Sequence, residues 1–200
     1  MAQVSRLASA CEKPKVVDGV ELPLAPERPE EVAMLRRCGG LLREKGADAA
    51  IRACVELAEG GDAVAQADVG LLYVFSGTRM VSRNVEQPHM EQAAKWLQQA
   101  ADQGDAEAAA YLGQMYLNGV GIESDTERAL ELLHAAAERG SGQAYLGLGM
   151  AYDYGLKVEK DYAQAERYYA RAVELGNGMA VQHLADLRLK MNPTPPPPRQ

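Results

Sequence analysis

Along most of this chain apolar residues recur three and four positions apart, the spacing that gathers them on one face of an α-helix. In the middle of the chain they fall at Ala108, Leu112, Met115 and Tyr116, break at Asn118-Gly119-Val120-Gly121, and resume at Ala129, Leu132, Leu133 and Ala136. The spacing predicts two helices joined by a glycine-bearing turn, with Gly140 ending the second. The pair then repeats. Gly104, Gly140 and Gly176 stand 36 residues apart, as do Ala93, Ala129 and Ala165, and Ala100, Ala136 and Ala172. Ala108, Ala144 and Ala180 keep the same spacing, and Leu112-Gly113 with Leu148-Gly149, Tyr116 with Tyr152, Gly119 with Gly155 and Asp125 with Asp161 keep it too. One step earlier, Ala65, Val69-Gly70 and Tyr73 match after a shift of 43, which leaves a seven-residue insertion between Tyr73 and Ala93.

Local chemistry agrees with the period. Ser124 and Glu127 have the spacing of a capping box, and Asp125 and Asp161 are placed to accept from free amides at a helix start. Glycine inside a helix costs about 1 kcal/mol, so Gly113 and Gly149 are expected where the paired helix approaches closely. A period of this size predicts a solenoid, in which each helix pair buries its apolar face only against its neighbours.

The pattern Ala-x3-Leu-Gly-x2-Tyr-x2-Gly-x-Gly-Val/Ile, followed by Asp-x3-Ala-x2-Trp/Tyr/Leu-x3-Ala-Ala-x2-Gly, resembles the Sel-one-like repeat, a relative of the tetratricopeptide repeat. Residues 105–140 carry it best. Residues 141–176 have Lys157 in place of the second turn glycine and Val173 in place of the second alanine, and residues 62–104 hold the insertion and put His89 where the others have Asp. The resemblance covers over half the chain and implies an all-α, right-handed α-solenoid of stacked antiparallel helix pairs. Around it the pattern gives a degenerate helix pair at 31–61, broken at Gly46, and a capping helix at 177–190, where Arg188 replaces the apolar landmark.

In function the resemblance implies a non-catalytic scaffold for protein–protein interaction. By analogy with tetratricopeptide arrays, first-helix positions outside the packing pattern line the concave surface: Asp68, Leu71 and Phe75; Tyr111, Gln114 and Asn118; Gly147, Met150 and Tyr154. The alternative for some of them is packing beneath the next repeat. The insertion segment Gly77–Gln87, with Arg79 and Arg83, is a second candidate as a recognition loop. Family members serve as adaptors in signalling and envelope assembly, and some bacterial ones are immunity proteins that occlude a secreted toxin. The partner is accordingly expected to be another protein, a toxin or effector or an envelope component. The competing class is an enzyme or a subunit of an envelope hydrolase or biosynthetic complex, since a few members have been credited with hydrolytic activity.

Composition narrows the rest. The formal charge is -7 and the pI about 5.1, which argues against nucleic acid because phosphate binding needs clustered Lys and Arg. No apolar run approaches the ~18 residues that suggest a membrane span. Nine of the ten prolines lie outside residues 30–192, which sets apart a leader at 1–30 and an extended, polyproline-like tail at 191–200. In the leader, Val16 to Leu22 suits a small hairpin around Asp18-Gly19. Arg6 interrupts any signal-peptide core, so the chain reads as cytoplasmic; Leu7-Ala8-Ser9-Ala10-Cys11 is similar to the end of a lipoprotein signal, and a trimmed exported protein is the alternative.

Candidate chemistry is sparse, and no cofactor or metal is expected. Gly119-Val120-Gly121 follows a helix rather than a strand and lacks a full nucleotide-loop fingerprint. His89, His134 and His183 are far apart and show no metal-pair spacing, so surface or packing roles are expected. Cys38 and Cys54 each lie eight residues from Gly46, which sets them level in an antiparallel hairpin. Buried thiols and a disulfide are both open readings, the second requiring α-carbons about 4.4 to 6.8 Å apart.

Overall fold

A computed structural model describes residues 16–17, 20–21, 35–45, 47–81, 88–156 and 158–192. Most of the leader, Gly46, Arg83 and the proline-rich tail beyond residue 192 lie outside the described residues. In the leader, β1 (Val16–Val17) and β2 (Val20–Glu21) pair antiparallel, with Val17 opposite Val20. Nine helices follow among the described residues: α1 (Cys38–Lys45), α2 (Ala47–Glu59), α3 (Ala63–Val81), α4 (Pro88–Asp102), α5 (Ala106–Asn118), α6 (Thr126–Glu138), α7 (Gly142–Tyr154), α8 (Tyr162–Glu174) and α9 (Gly178–Met191).

Most of the helices begin, and two of them end, at residues whose local chemistry suits the boundary. Asp62, Asp105, Asp125, Ser141, Asp161 and Asn177 each accept, through a side-chain oxygen, the amide three residues on. These caps satisfy donors that have no partner inside the helix. At the start of α6 the cap is Asp125, not Ser124, so the capping-box spacing of Ser124 and Glu127 is not used. α5 and α7 end at Gly119 and Gly155, whose φ of 64° and 68° lies in the left-handed region that glycine enters without cost. Pro88 opens α4, where its missing amide hydrogen sacrifices no helical bond.

Close packing depends on the in-helix glycines. α5 lies on α6 so that a β-carbon at Gly113 would stand 2.9 Å from Leu133 Cγ, and one at Gly149 of α7 would run into the Tyr169 ring of α8. Leu72, Leu97, Leu112, Leu133, Leu148, Tyr169 and Leu187 are fully buried along the array. Fully burying a side chain of this kind contributes about 1.5–3 kcal/mol, and no single pair has enough such residues to stand alone.

Successive pairs stack unevenly. The first helices touch one another, α5 against α7 most extensively and α3 against α5 and α7 against α9 to a lesser degree, whereas second helices make no comparable contact. The first helices therefore form the tighter, inner curve. The insertion departs from the expected loop. α3 continues to Val81, so Arg79 is helical, because the lone Gly77 costs only about 1 kcal/mol and cannot stop the helix.

Candidate interaction face

The inner curve is built from α3, α5, α7 and α9, and the nine expected face positions divide into two groups on it. Asp68, Leu71, Phe75 and Gly147 are buried. Tyr111, Gln114 and Met150 are half-buried, while Asn118 and Tyr154 are exposed, Tyr154 at 49%.

The buried group is a correction to the expected surface, with a physical cause for each part. Asp68 on α3 is covered by the chain entering α1: its carboxylate accepts the backbone amides of Arg36, Arg37 and Cys38 at 3.1, 2.6 and 2.7 Å. It caps a neighbouring helix. Burial pushes the Asp68 carboxyl above its ordinary range, although the three amides pull it down. Arg36 and Arg37 then reach Asp105 and Asp62, each at 2.6 Å. Leu71 and Phe75 belong to the core cluster that contains Leu35. Gly147 is a packing position, since a β-carbon there would stand 2.7 Å from Leu133 Cδ2 and 3.2 Å from Gln114 Cγ. Its bare backbone lets α7 approach α5.

Beyond α3 the face is polar and ordered by side-chain amides. Gln143 Nε2 donates to Gln114 Oε1 at 3.1 Å, Gln114 Nε2 donates to the Gln143 carbonyl at 3.2 Å, and Asn177 Nδ2 donates to Gln143 Oε1 at 2.9 Å. Ser141 Oγ donates to Glu107 at 2.9 Å. Glu107 and Gln143 complete the set one helical turn before Tyr111 and Gly147, and their i−4 spacing from those residues was the signal available for them. Burial, and then the neighbouring Glu107 charge, push the Tyr111 phenol well above its ordinary range.

At the far end, Lys190 of α9 lies over the Tyr154 ring, 5.0 Å from its centroid, and donates to both oxygens of Asp153. Lys190 is the 36-residue successor of Tyr154, so the repeat itself points to it. Asp153 is buried and also accepts from Tyr169 Oη at 3.4 Å. The Asp153 hydrogen bond holds the Lys190 ammonium above its ordinary range, and burial followed by the Asp153 charge pushes the Tyr169 phenol up. The exposed rim of the face thus presents the Asn118 amide and the Tyr154 ring, with the half-buried Tyr111, Gln114 and Met150 behind them.

The other candidates are placed as follows. Arg79 lies within α3, and Arg83 lies outside the described residues. Cys38 and Cys54 are joined by a disulfide across α1 and α2, with α-carbons 5.7 Å apart. His89 is buried, its ring 5.6 Å from that of Tyr73; His183 stacks on Tyr169 at 5.4 Å; His134 is exposed. Among the described residues no cluster of metal-ligating side chains occurs, and no described helix is long and apolar enough to cross a membrane.

No curated protein matches the chain. Among solved structures, a Sel1 repeat protein from Oxalobacter formigenes is 33% identical over 78% of this chain and 62% of its own, with a TM-score of 0.59. A protective antigen present in uropathogenic Escherichia coli strains and displaying an SLR fold is 26% identical over 80% of this chain and 40% of its own, with a TM-score of 0.53. The chain therefore spans less than two thirds of the length of either. The Sel1 repeat model matches residues 63–105, 106–141 and 142–177, three adjoining units that coincide with the three central helix pairs. With its helix pairs, its glycine turns and these three matches, the chain belongs to the Sel1 repeat family, an α-solenoid family whose members generally mediate protein–protein interaction.

Proposed function

We propose that this protein is a non-catalytic scaffold that holds a protein partner along the inner face from α5 to α9. The observation that carries the reading is the exposed rim of Asn118 and Tyr154, backed by Tyr111, Gln114 and Met150. Aromatic rings and amides held on rigid helices bind with little further loss of side-chain freedom. Gln114, Gln143 and Asn177 are already fixed to one another, so the face is preorganised.

The partner that fits best is an envelope component or a secreted effector, the second making this an immunity or adaptor protein. The Cys38–Cys54 bridge supports that class, because disulfides persist in oxidising compartments and are rare in the cytosol.

The test is affinity capture from the native cell with the full chain and with Tyr154→Ala/Met150→Ala. The double variant is expected to keep its helicity and to lose the partner by roughly tenfold or more. Undiminished capture by a folded variant places recognition elsewhere and overturns the reading.

A further inference from the structure

The last described helix of the array leaves exposed a face that earlier first helices have filled. On α5, Ala109, Gly113 and Leu117 turn toward the second helix of the same pair, with Leu133 against Gly113. On α7, Tyr145, Gly149 and Asp153 do likewise, meeting Tyr168 and Tyr169 of α8. A shift of 36 carries these positions onto Val181, Ala185 and Leu189 of α9. Among the described residues nothing covers them: Val181 is 55% exposed, Leu189 63%, and Ala185 is exposed as well. A true capping helix turns polar residues outward, because an apolar end invites association. α9 instead carries an apolar stripe at i, i+4 and i+8, with Gln182 and Asp186, hydrogen-bonded to each other at 2.8 Å, along one flank.

We propose that this face docks an amphipathic helix of a partner protein, in the place that α6 takes on α5 and α8 takes on α7. The occupant is identified by continuity with those two interfaces, where the equivalent triplet accepts a helix by its apolar stripe. Its sequence is constrained at one point. Gly113 admits a leucine and Gly149 a tyrosine only because they lack a β-carbon, and Ala185 has one. The docked helix therefore carries alanine or glycine where it crosses Ala185, with larger aliphatic residues on either side to meet Val181 and Leu189. A second copy fits less well, since two antiparallel α9 helices would set their Asp186 carboxylates on the same flank. The face lies at the end of the stack and does not depend on the inner-face reading.

The experiment uses the full chain and a labelled, hydrocarbon-stapled peptide with the sequence of Thr126–Glu138 carrying Leu133→Ala with Ala129→Leu and Ala137→Leu on either side, followed by fluorescence anisotropy. Saturable binding is expected. Val181→Asp/Leu189→Asp, and independently Ala185→Arg, should weaken it by roughly tenfold or more, with helicity checked by circular dichroism, while His134→Ala, on the exposed side of α6, leaves it unchanged. Absence of saturable binding, or equal binding by the folded end-face variants, overturns the proposal. So does a wild-type dimer in sedimentation that Val181→Asp/Leu189→Asp separates, for then a second copy covers the face.

Discussion

Lys190 Nζ stands 2.9 Å from Asp153 Oδ1 and 3.0 Å from Oδ2, one exposed ammonium serving a carboxylate that is otherwise sealed between α7, α8 and α9. The asymmetry decides what each substitution does. Lys190→Ala leaves Asp153 with only the Tyr169 hydroxyl and should cost about 1–3 kcal/mol, the desolvation penalty of a buried polar group left short of partners. Asp153→Asn should cost less, because it removes the buried charge with its partner's role. Urea midpoints at neutral pH check the order; equal losses would show that the pair is no more than a surface contact.

Gly149→Ala tests the close approach of α7 to α8. The new methyl gains about 1 kcal/mol in helix propensity but runs into the Tyr169 ring, and overpacking of a tight core costs about 1–3 kcal/mol. A net loss of stability is expected. Adding Tyr169→Leu should recover part of it, a coupling that thermal denaturation of the four-member cycle measures directly.

The bridge between Cys38 and Cys54 predicts a thiol count. The chain has three cysteines, so the denatured, unreduced protein should show one reactive thiol. The bridge spans 16 residues, for which loop-closure entropy gives about 3 kcal/mol. Cys38→Ser/Cys54→Ser should therefore lower the stability of α1 and α2 while hydrogen exchange in α5 to α8 stays the same.

Asp68 gives a pH dependence of definite sign. Its carboxyl titrates higher in the folded chain than in the unfolded one, chiefly because burial disfavours the charge. A raised folded value means that the folded state takes up the proton first, so the stabilising contribution is full below the unfolded value of 3.8 and is lost as pH rises through the folded one. The cost of Asp68→Ala should thus be larger at pH 4 than at pH 7. A cost that shrinks on acidification would mean that the three amides, rather than burial, dominate.

Much of this architecture was legible because its determinants are local and periodic. Gly113 and Gly149 announce a close helix approach from within a 36-residue unit, Asp125 and Asp161 announce helix starts, and Cys38 and Cys54 were matched by equal distance from Gly46. The inner face was legible only in part. Periodicity names the residues that point inward but not what comes to rest on them: Asp68 is covered by amides about 30 positions away, and Gly147 is filled by Leu133 of the preceding pair. Nor does the period report where α3 stops. That depends on the balance between one glycine and the residues around it, and helix α3 overran the expected turn.

On the proposed reading of the inner face, the capture of residues 36–38 by Asp68 also limits the size of what that face can hold. With the inner surface of α3 occupied by the chain's own entry segment, the open trough runs over α5, α7 and α9 alone. Packed helices lie about 8–10 Å apart, so the trough is roughly 20–30 Å long, the reach of about six to nine extended residues. The footprint is that of a short linear segment or a single exposed loop, and a minimal ligand can be sought among peptides of that length.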